Sequence, residues 1–252
     1  MDAGCGDGEW SDISATIGRG DFGEDGPVAH APSAILIVGA SAEAERVIDL
    51  IGRLPAPAAV LGCLAVDLDS ERPGTRVQGF TVLNTLENIL LYHDRVMGAV
   101  LAVESVEDRE RSIAAVLGAR IPLLPIVDAS ATVGQDVRIG PGVTVHAQAT
   151  VETGSRLGMG VRVGPGATLE VQSRIGDGCS IGSGAIIGSK ARVGERVLIH
   201  RGAILAESVL VGPDAIVEPG SCVLGDIAQG ERWSGSPARV VQPRPHPELD
   251  GA

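Results

Sequence analysis

Large rings are almost missing from this chain: Phe22, Phe80, Trp10, Trp233 and Tyr92 are the whole aromatic set, 2% of 252 residues. A core without them has to be narrow and aliphatic, and a 44% apolar content is ample for two such cores. Positive charge is scarce as well, with 20 Lys and Arg against 32 Asp and Glu and a net charge of -12. That balance argues against nucleic acid or an anionic membrane surface as the main partner. No apolar run reaches the length of a membrane span, and the amino terminus lacks a basic segment followed by an apolar one, so a soluble cytoplasmic protein is expected. The four cysteines, Cys5, Cys63, Cys179 and Cys222, have neither metal nor disulfide spacing and read as inert packing thiols.

What the chain does have is one branched aliphatic residue at every sixth position from Val127 to Val223. In order these are Val127, Val133, Ile139, Val145, Val151, Leu157, Val163, Leu169, Ile175, Ile181, Ile187, Val193, Ile199, Leu205, Val211, Val217 and Val223. Two positions earlier there is usually a small residue (Ala149, Ser155, Ala167, Cys179, Ala185), and Gly often follows, as at Gly134, Gly158, Gly176, Gly182 and Gly188. A period of six fits neither a helix nor a lone strand. It marks a solenoid in which each repeat is a short strand plus a turn, three repeats making one triangular coil. The ladder residue points to the axis, the small residue fills a corner, and the Gly is expected to take backbone angles that a Cβ forbids. With strands about 4.8 Å apart, the prism is roughly 25 Å long.

Residues 1–32 are rich in Gly, Asp, Ser and Ala without a sustained period and read as a disordered or loosely packed segment. Residues 33–126 change character. Ala34 to Val38 reads as a buried strand ending at Gly39, followed by a helix over Ala42 to Arg53 with Ala44, Val47, Ile48 and Ile51 on one face. The alternation continues with a strand at Ala59 to Val66, a helix at Leu86 to Tyr92, a strand at Gly98 to Val103, a helix at Glu107 to Leu117 and a short strand at Pro122 to Pro125. This pattern implies a small parallel sheet with helices on both faces, of Rossmann-like type. The fold class expected is therefore an α/β domain followed over 127–224 by a parallel β-helix, which the family resemblance given below implies is left-handed. Ligands of such sheets bind beyond the carboxyl ends of the strands, so Gly39, Ala40 and Ser41 mark either the mouth of a ligand site, for a nucleotide if the resemblance below holds, or a structural glycine turn, the full Gly-x-Gly-x-x-Gly pattern being absent. Residues 225–252 form a closing loop and tail, with Trp233 to Arg239 expected to fold back over the last coil and cover its strand edges.

From Ile35 to Arg239 the chain resembles the bacterial hexapeptide-repeat sugar O- and N-acyltransferases, the sialic acid O-acetyltransferase family and the N-acetyltransferases of nucleotide-linked amino sugars. The residues that carry the resemblance are Ile35 to Ser41, Leu61-Gly62, the unbroken ladder and Gly235-Ser236-Pro237-Ala238-Arg239. The resemblance implies a homotrimer with acetyl-CoA as co-substrate, no metal, and a sugar nucleotide held by the sheet domain. It places acyl-CoA contacts on Gly202, Ala203, Gly220, Gly235, Pro237 and Ala238. It also implies a catalytic His between two acidic residues, taking the proton of the sugar amine or hydroxyl as that group attacks the thioester.

Aligned on the ladder, the acid-His-acid signature falls on Glu170-Val171-Gln172, a second family His on Ser180, the His after the glycine turn on Glu43, an acidic pair on Ala65 and Val66, and a His-Pro on Asp128-Ala129. The usual base is thus replaced by Val171. Substitutes are His146 and His200, each one residue past a ladder position, three coils apart and on a different edge from Val171, so that a neighbouring subunit would have to present them there, and Glu170 or Glu207, in a corner with Glu152, Thr153, Ser189 and Lys190. The two histidines otherwise read as solvated turn residues, and the corner as a solvated polar patch. His30, His93 and His246 lie in loop or helix-end contexts.

Two functions are expected: an acyl-CoA-dependent sugar acyltransferase, or a non-catalytic trimeric homologue that binds a sugar nucleotide or scaffolds a partner enzyme or active paralogue. A β-helix carbonic anhydrase is set aside for want of three suitably spaced His ligands, and a nucleotidyltransferase for want of a larger amino-terminal domain with a phosphate loop.

Overall fold

The computed structural model describes residues 34–66 and 72–241; the expectations on residues 1–32, His30 and His246 lie outside that range. The described residues form one compact unit. It begins with strand β1 (Ala34–Val38), helix α1 (Ala42–Gly52), strand β2 (Ala59–Ala65), a short hairpin of β3 (Arg76–Val77) and β4 (Phe80–Thr85), a 3-10 helix (Leu86–Tyr92), strand β5 (Gly98–Leu101) and helix α2 (Val106–Gly118). The sheet order is β3-β4-β2-β1-β5, parallel apart from the β3–β4 hairpin.

Alternation along β1 divides its side chains between two cores. Ile35 and Ile37 pack with Val47, Ile48 and Ile51 of α1, while Leu36 and Val38 pack with Leu86, Ile89 and Val116 on the other side. Four of the expected elements recur within a residue or so of their limits, and Leu86 to Tyr92 is helical but of the tighter 3-10 type. The Pro122 to Pro125 segment is reduced to one parallel bridge, Leu123 to Ala99. The β3–β4 hairpin is an addition: Gln78 and Gly79 both take positive φ there, 45° and 88°.

The rest is a prism of three parallel sheets. Strands β6 to β22 are two residues long, running from Ile126–Val127 to Cys222–Val223, and every one of the ladder residues is the second residue of such a strand. The first face carries Val127, Val145, Val163, Ile181, Ile199 and Val217; the second carries Val133 to Val223; the third carries Ile139 to Val211. Inside, the ladder and the corner residues form one core, with Leu169, Ile181, Ile187 and Ile199 fully buried. Each such side chain stabilises the fold by roughly 1.5–3 kcal/mol. At the open lower end Val133 is still 39% exposed, because no coil lies beneath it.

The glycines after the ladder work differently from the expectation. Their φ values are not left-handed; what they lack is room. A Cβ on Gly182 would lie 2.4 Å from the backbone nitrogen of Arg201 in the next coil, and one on Gly188 2.6 Å from the backbone of Ala206. The left-handed position is three after the ladder, held by Gly142, Gly184 and Gly202 but also by Asp136, Gln172 and Lys190.

The carboxyl-terminal end extends the prism as well as closing it. Strand β23 (Arg232–Gly235) adds in parallel to the first face and β24 (Ala238–Val240) turns back antiparallel to it, with Ala238 buried in the prism core.

Candidate active site at the meeting of sheet and prism

Gly39, at the end of β1, reaches Leu64 through its N–H (2.9 Å) and lies so close to β5 that a Cβ would sit 2.0 Å from the carbonyl oxygen of Ala102. Ser41 caps α1 in extended geometry without a side-chain hydrogen bond. Two residues later Glu43 turns into the apolar side of α1 and is 1% exposed. A buried carboxylate needs compensation, and the prism provides it. His146 places Nε2 2.7 Å from Oε1 of Glu43, and Arg162 donates from Nε to Oε1 (2.6 Å) and from Nη2 to Oε2 (3.0 Å). Arg46, one turn along α1, donates to Oε2 at 2.7 Å.

Burial pushes the Glu43 carboxyl up, but the hydrogen bonds and charges of His146 and Arg162 outweigh it and hold the group well below the usual carboxylate range. His146 is therefore no solvated turn residue: it is 3% exposed, because α1 covers the corner on which it stands.

Behind this cluster Arg109 of α2 is fully buried, donating to the carbonyls of Gly160 (3.1 Å) and Val103 and leaving Nε without a partner. Burial and the neighbouring Arg162 push its guanidinium down to about 10. At the rim the exposed Glu104 lies 3.7 Å from Arg46 and 3.9 Å from Arg162. A second clasp holds the far end of α1. Asp128, 2% exposed, accepts from Arg53 (2.6 Å) and from the N–H and hydroxyl of Ser130 (2.9 and 2.7 Å). Its carboxyl is likewise held low, the Arg53 and Ser130 hydrogen bonds exceeding the effect of burial.

The other candidates stand elsewhere. His200 is half-buried in the same corner row as His146, and its ring has no hydrogen-bond partner among the described residues. In the corner between the second and third faces, Glu152 accepts from the N–H of Val171 (3.0 Å), and Glu170 accepts from both the N–H and hydroxyl of Ser189 (2.9 Å each). Lys190 lies 3.5 Å from Glu207. The corner cluster thus forms, with both carboxylates acting on the backbone of the coil above. Gly202 and Gly220 hold left-handed turns, and Ala203 and Ala238 are buried and can offer only backbone. Gly235 and Pro237 lie in the terminal hairpin. Ser180 is buried on the first face, two rungs above Thr144. Cys63 and Cys179 are buried thiols pushed up by that burial, to about 11 and about 12. Among the described residues no group of three His, Cys, Asp or Glu side chains could hold a metal ion, and no helix is long and apolar enough to cross a membrane.

The family model of the GMPPB C-terminal domain matches residues 124–222, the prism alone. No curated protein matches by sequence. Solved structures match both lobes. The acetyltransferase domain of PglB from Neisseria gonorrhoeae FA1090, in complex with acetyl coenzyme A, is 25% identical with a TM-score of 0.75, covering 83% of this chain and 99% of its own. This chain has the architecture of the hexapeptide-repeat sugar acyltransferases. A mutant of perosamine N-acetyltransferase from Caulobacter crescentus, bound to CoA and GDP-perosamine, shares the fold at 24% identity and a TM-score of 0.77, covering 83% of this chain and 97% of its own. WeeI from Acinetobacter baumannii AYE does so at 18% identity and a TM-score of 0.56, covering 82% and 99%. The ladder alignment singles out Glu43 only as the position of a missing His, and local spacing does not show its partners; the further signal was a carboxylate on the apolar face of α1.

Proposed function

We propose that this protein is an acyl-CoA-dependent acyltransferase acting on the amino or hydroxyl group of a nucleotide-linked sugar. The observation that carries the reading is the match over both lobes to an acetyltransferase domain that binds acetyl coenzyme A. On this reading the sheet domain is a Rossmann-like nucleotide site with its mouth at Gly39, Ala40 and Ser41, the prism is left-handed, and the assembly is a cytoplasmic homotrimer with acyl-CoA lying along the prism toward Gly202, Gly220 and Gly235.

Among the candidate bases, the geometry favours His146 over Glu170 and His200. A general base needs an orienting partner, and Glu43 holds Nε2 of His146 at 2.7 Å, leaving Nδ1 without a hydrogen bond among the described residues. Glu43 itself is two residues past Ser41 in the chain. The acceptor nitrogen or oxygen attacks the thioester carbonyl carbon, the C–S bond breaks, His146 takes the acceptor's proton, and the proton passes on to the leaving thiolate.

The test is thiol release from acetyl-CoA against a panel of nucleotide-linked amino sugars. Acceptor-dependent release, reduced about 100-fold or more in kcat by His146→Asn with KM little changed, is expected. Val171, which has no proton to exchange where the signature places the base, favours a second reading as a non-catalytic homologue that supports a partner enzyme or active paralogue. Calorimetry showing that a folded trimer binds neither acetyl-CoA nor sugar nucleotide would select that reading.

A further inference from the structure

The outward side of the third face carries four arginines in register: Arg138 pairs with Arg156, Arg156 with Arg174, and Arg174 with Arg192. All four are exposed. Strand spacing sets them about 4.8 Å apart, and like charges directly opposite one another in a sheet repel. No carboxylate among the described residues pairs with any of them. The same outward position on the first face shows what such an arginine receives when another lobe covers it: Arg162 is met by the buried Glu43.

The next rung of the third face is Leu210, 48% exposed. The row therefore reads basic for four rungs and then apolar. The corner between the second and third faces, with the adjoining second face, is its complement. Glu152 and Glu170 each use Oε2 on the backbone and leave Oε1 without a hydrogen bond among the described residues. Higher on the second face stands Ile204, 41% exposed.

We propose that the third face is the docking surface for a second copy of this chain, which inserts its Glu152 and Glu170 corner against Arg156 and Arg174. The inference rests on the trimer reading above. A threefold axis parallel to the prism moves no atom along that axis, so each residue meets the neighbour's residues at its own height. Arg156 then faces Glu152 of the next copy, Arg174 faces Glu170, and Leu210 faces Ile204. Three third faces cannot meet one another around the axis, because that would crowd three arginine rows together. The contact is head-to-tail and closes as a ring.

Sedimentation of the full chain at micromolar concentration tests this. The wild type sediments as a trimer that loosens at least tenfold as salt rises from about 0.1 to about 1 M, over which screening shortens from about 10 to about 3 Å. Arg156→Glu/Arg174→Glu sediments as a monomer with an unchanged circular dichroism spectrum. Glu152→Gln/Glu170→Gln, which keeps an oxygen for each backbone N–H, weakens assembly at least tenfold without that change of sign. A wild-type monomer overturns the trimer reading itself. A trimer indifferent to both double variants leaves the trimer standing and overturns this contact. A trimer that persists in Arg156→Glu/Arg174→Glu but no longer binds acetyl-CoA makes the row a ligand site and likewise overturns it.

Discussion

Arg162 and Glu43, 119 residues apart, meet in a two-pronged ion pair with hydrogen bonds of 2.6 and 3.0 Å, both side chains nearly sealed from solvent. The pair joins the first turn of the first helix to the prism, and the same carboxylate holds His146 against that turn.

Removing one member of a buried ion pair leaves the other uncompensated. Glu43→Gln keeps the shape but removes the buried carboxylate that faces His146 and Arg162. Its expected cost is about 3–5 kcal/mol of unfolding free energy, read from urea denaturation. A change below about 1 kcal/mol would mean that water reaches the cluster.

The same carboxylate dictates a pH dependence. Its folded pKa lies below the ordinary value of 4.5, so the unfolded chain takes up the proton first as pH falls. The stabilisation is complete above that value and is lost progressively below it. Thermal unfolding of the wild type between pH 7 and pH 3 should therefore fall more steeply than that of Glu43→Gln. Asp128 contributes in the same direction and remains in both proteins. Parallel curves would remove Glu43 as the source.

The two glycine classes separate by substitution. Gly184→Ala meets nothing within 4 Å but must hold a φ of +65°, and is expected to cost about 1–2 kcal/mol. Gly182→Ala has an ordinary φ but drives a methyl group into the backbone at Arg201, and is expected to cost about 3 kcal/mol. Equal losses by calorimetry would contradict the distinction.

In the middle of the prism, Ile187 is fully buried and bounded by coils above and below. Ile187→Ala should lower stability by about 2–5 kcal/mol, whereas Val133→Ala at the open end should cost well under half of that. A similar cost at both would mean that the lower coil is covered.

The prism was legible in the sequence because its physics is local and repeated: a branched side chain every six residues can satisfy only one geometry. The sheet domain was legible wherever a strand or helix is continuous. The hairpin at Arg76 to Thr85 was not, since Gln78-Gly79 is a weak turn signal between short polar-interrupted runs. The site was least legible. In its own row the next two rungs above His146 are Gly164 and Gly182, so from the repeat alone it looks solvated. Its cover comes from a helix 103 residues away. For the glycines after the ladder, a six-residue period shows that Gly is needed without showing whether angle or clearance demands it, and clearance does.

Neighbouring rungs on each face are 18 residues apart, the spacing that joins Ser155 to Ser173 through their hydroxyls. A block of that length can enter or leave the chain and every remaining strand stays in phase with a partner. The clasp of Glu43 is tied to the rungs of His146 and Arg162, whereas the corner at Val171 and the turn at Gly202 lie higher. An inserted block above Arg162 would raise those features by about 4.8 Å and leave the clasp untouched. The prism is thus a ruler with fixed graduations: the distance from the Glu43 clasp to any corner is set by counting coils, and insertions change that distance while leaving the residues at either end as they are.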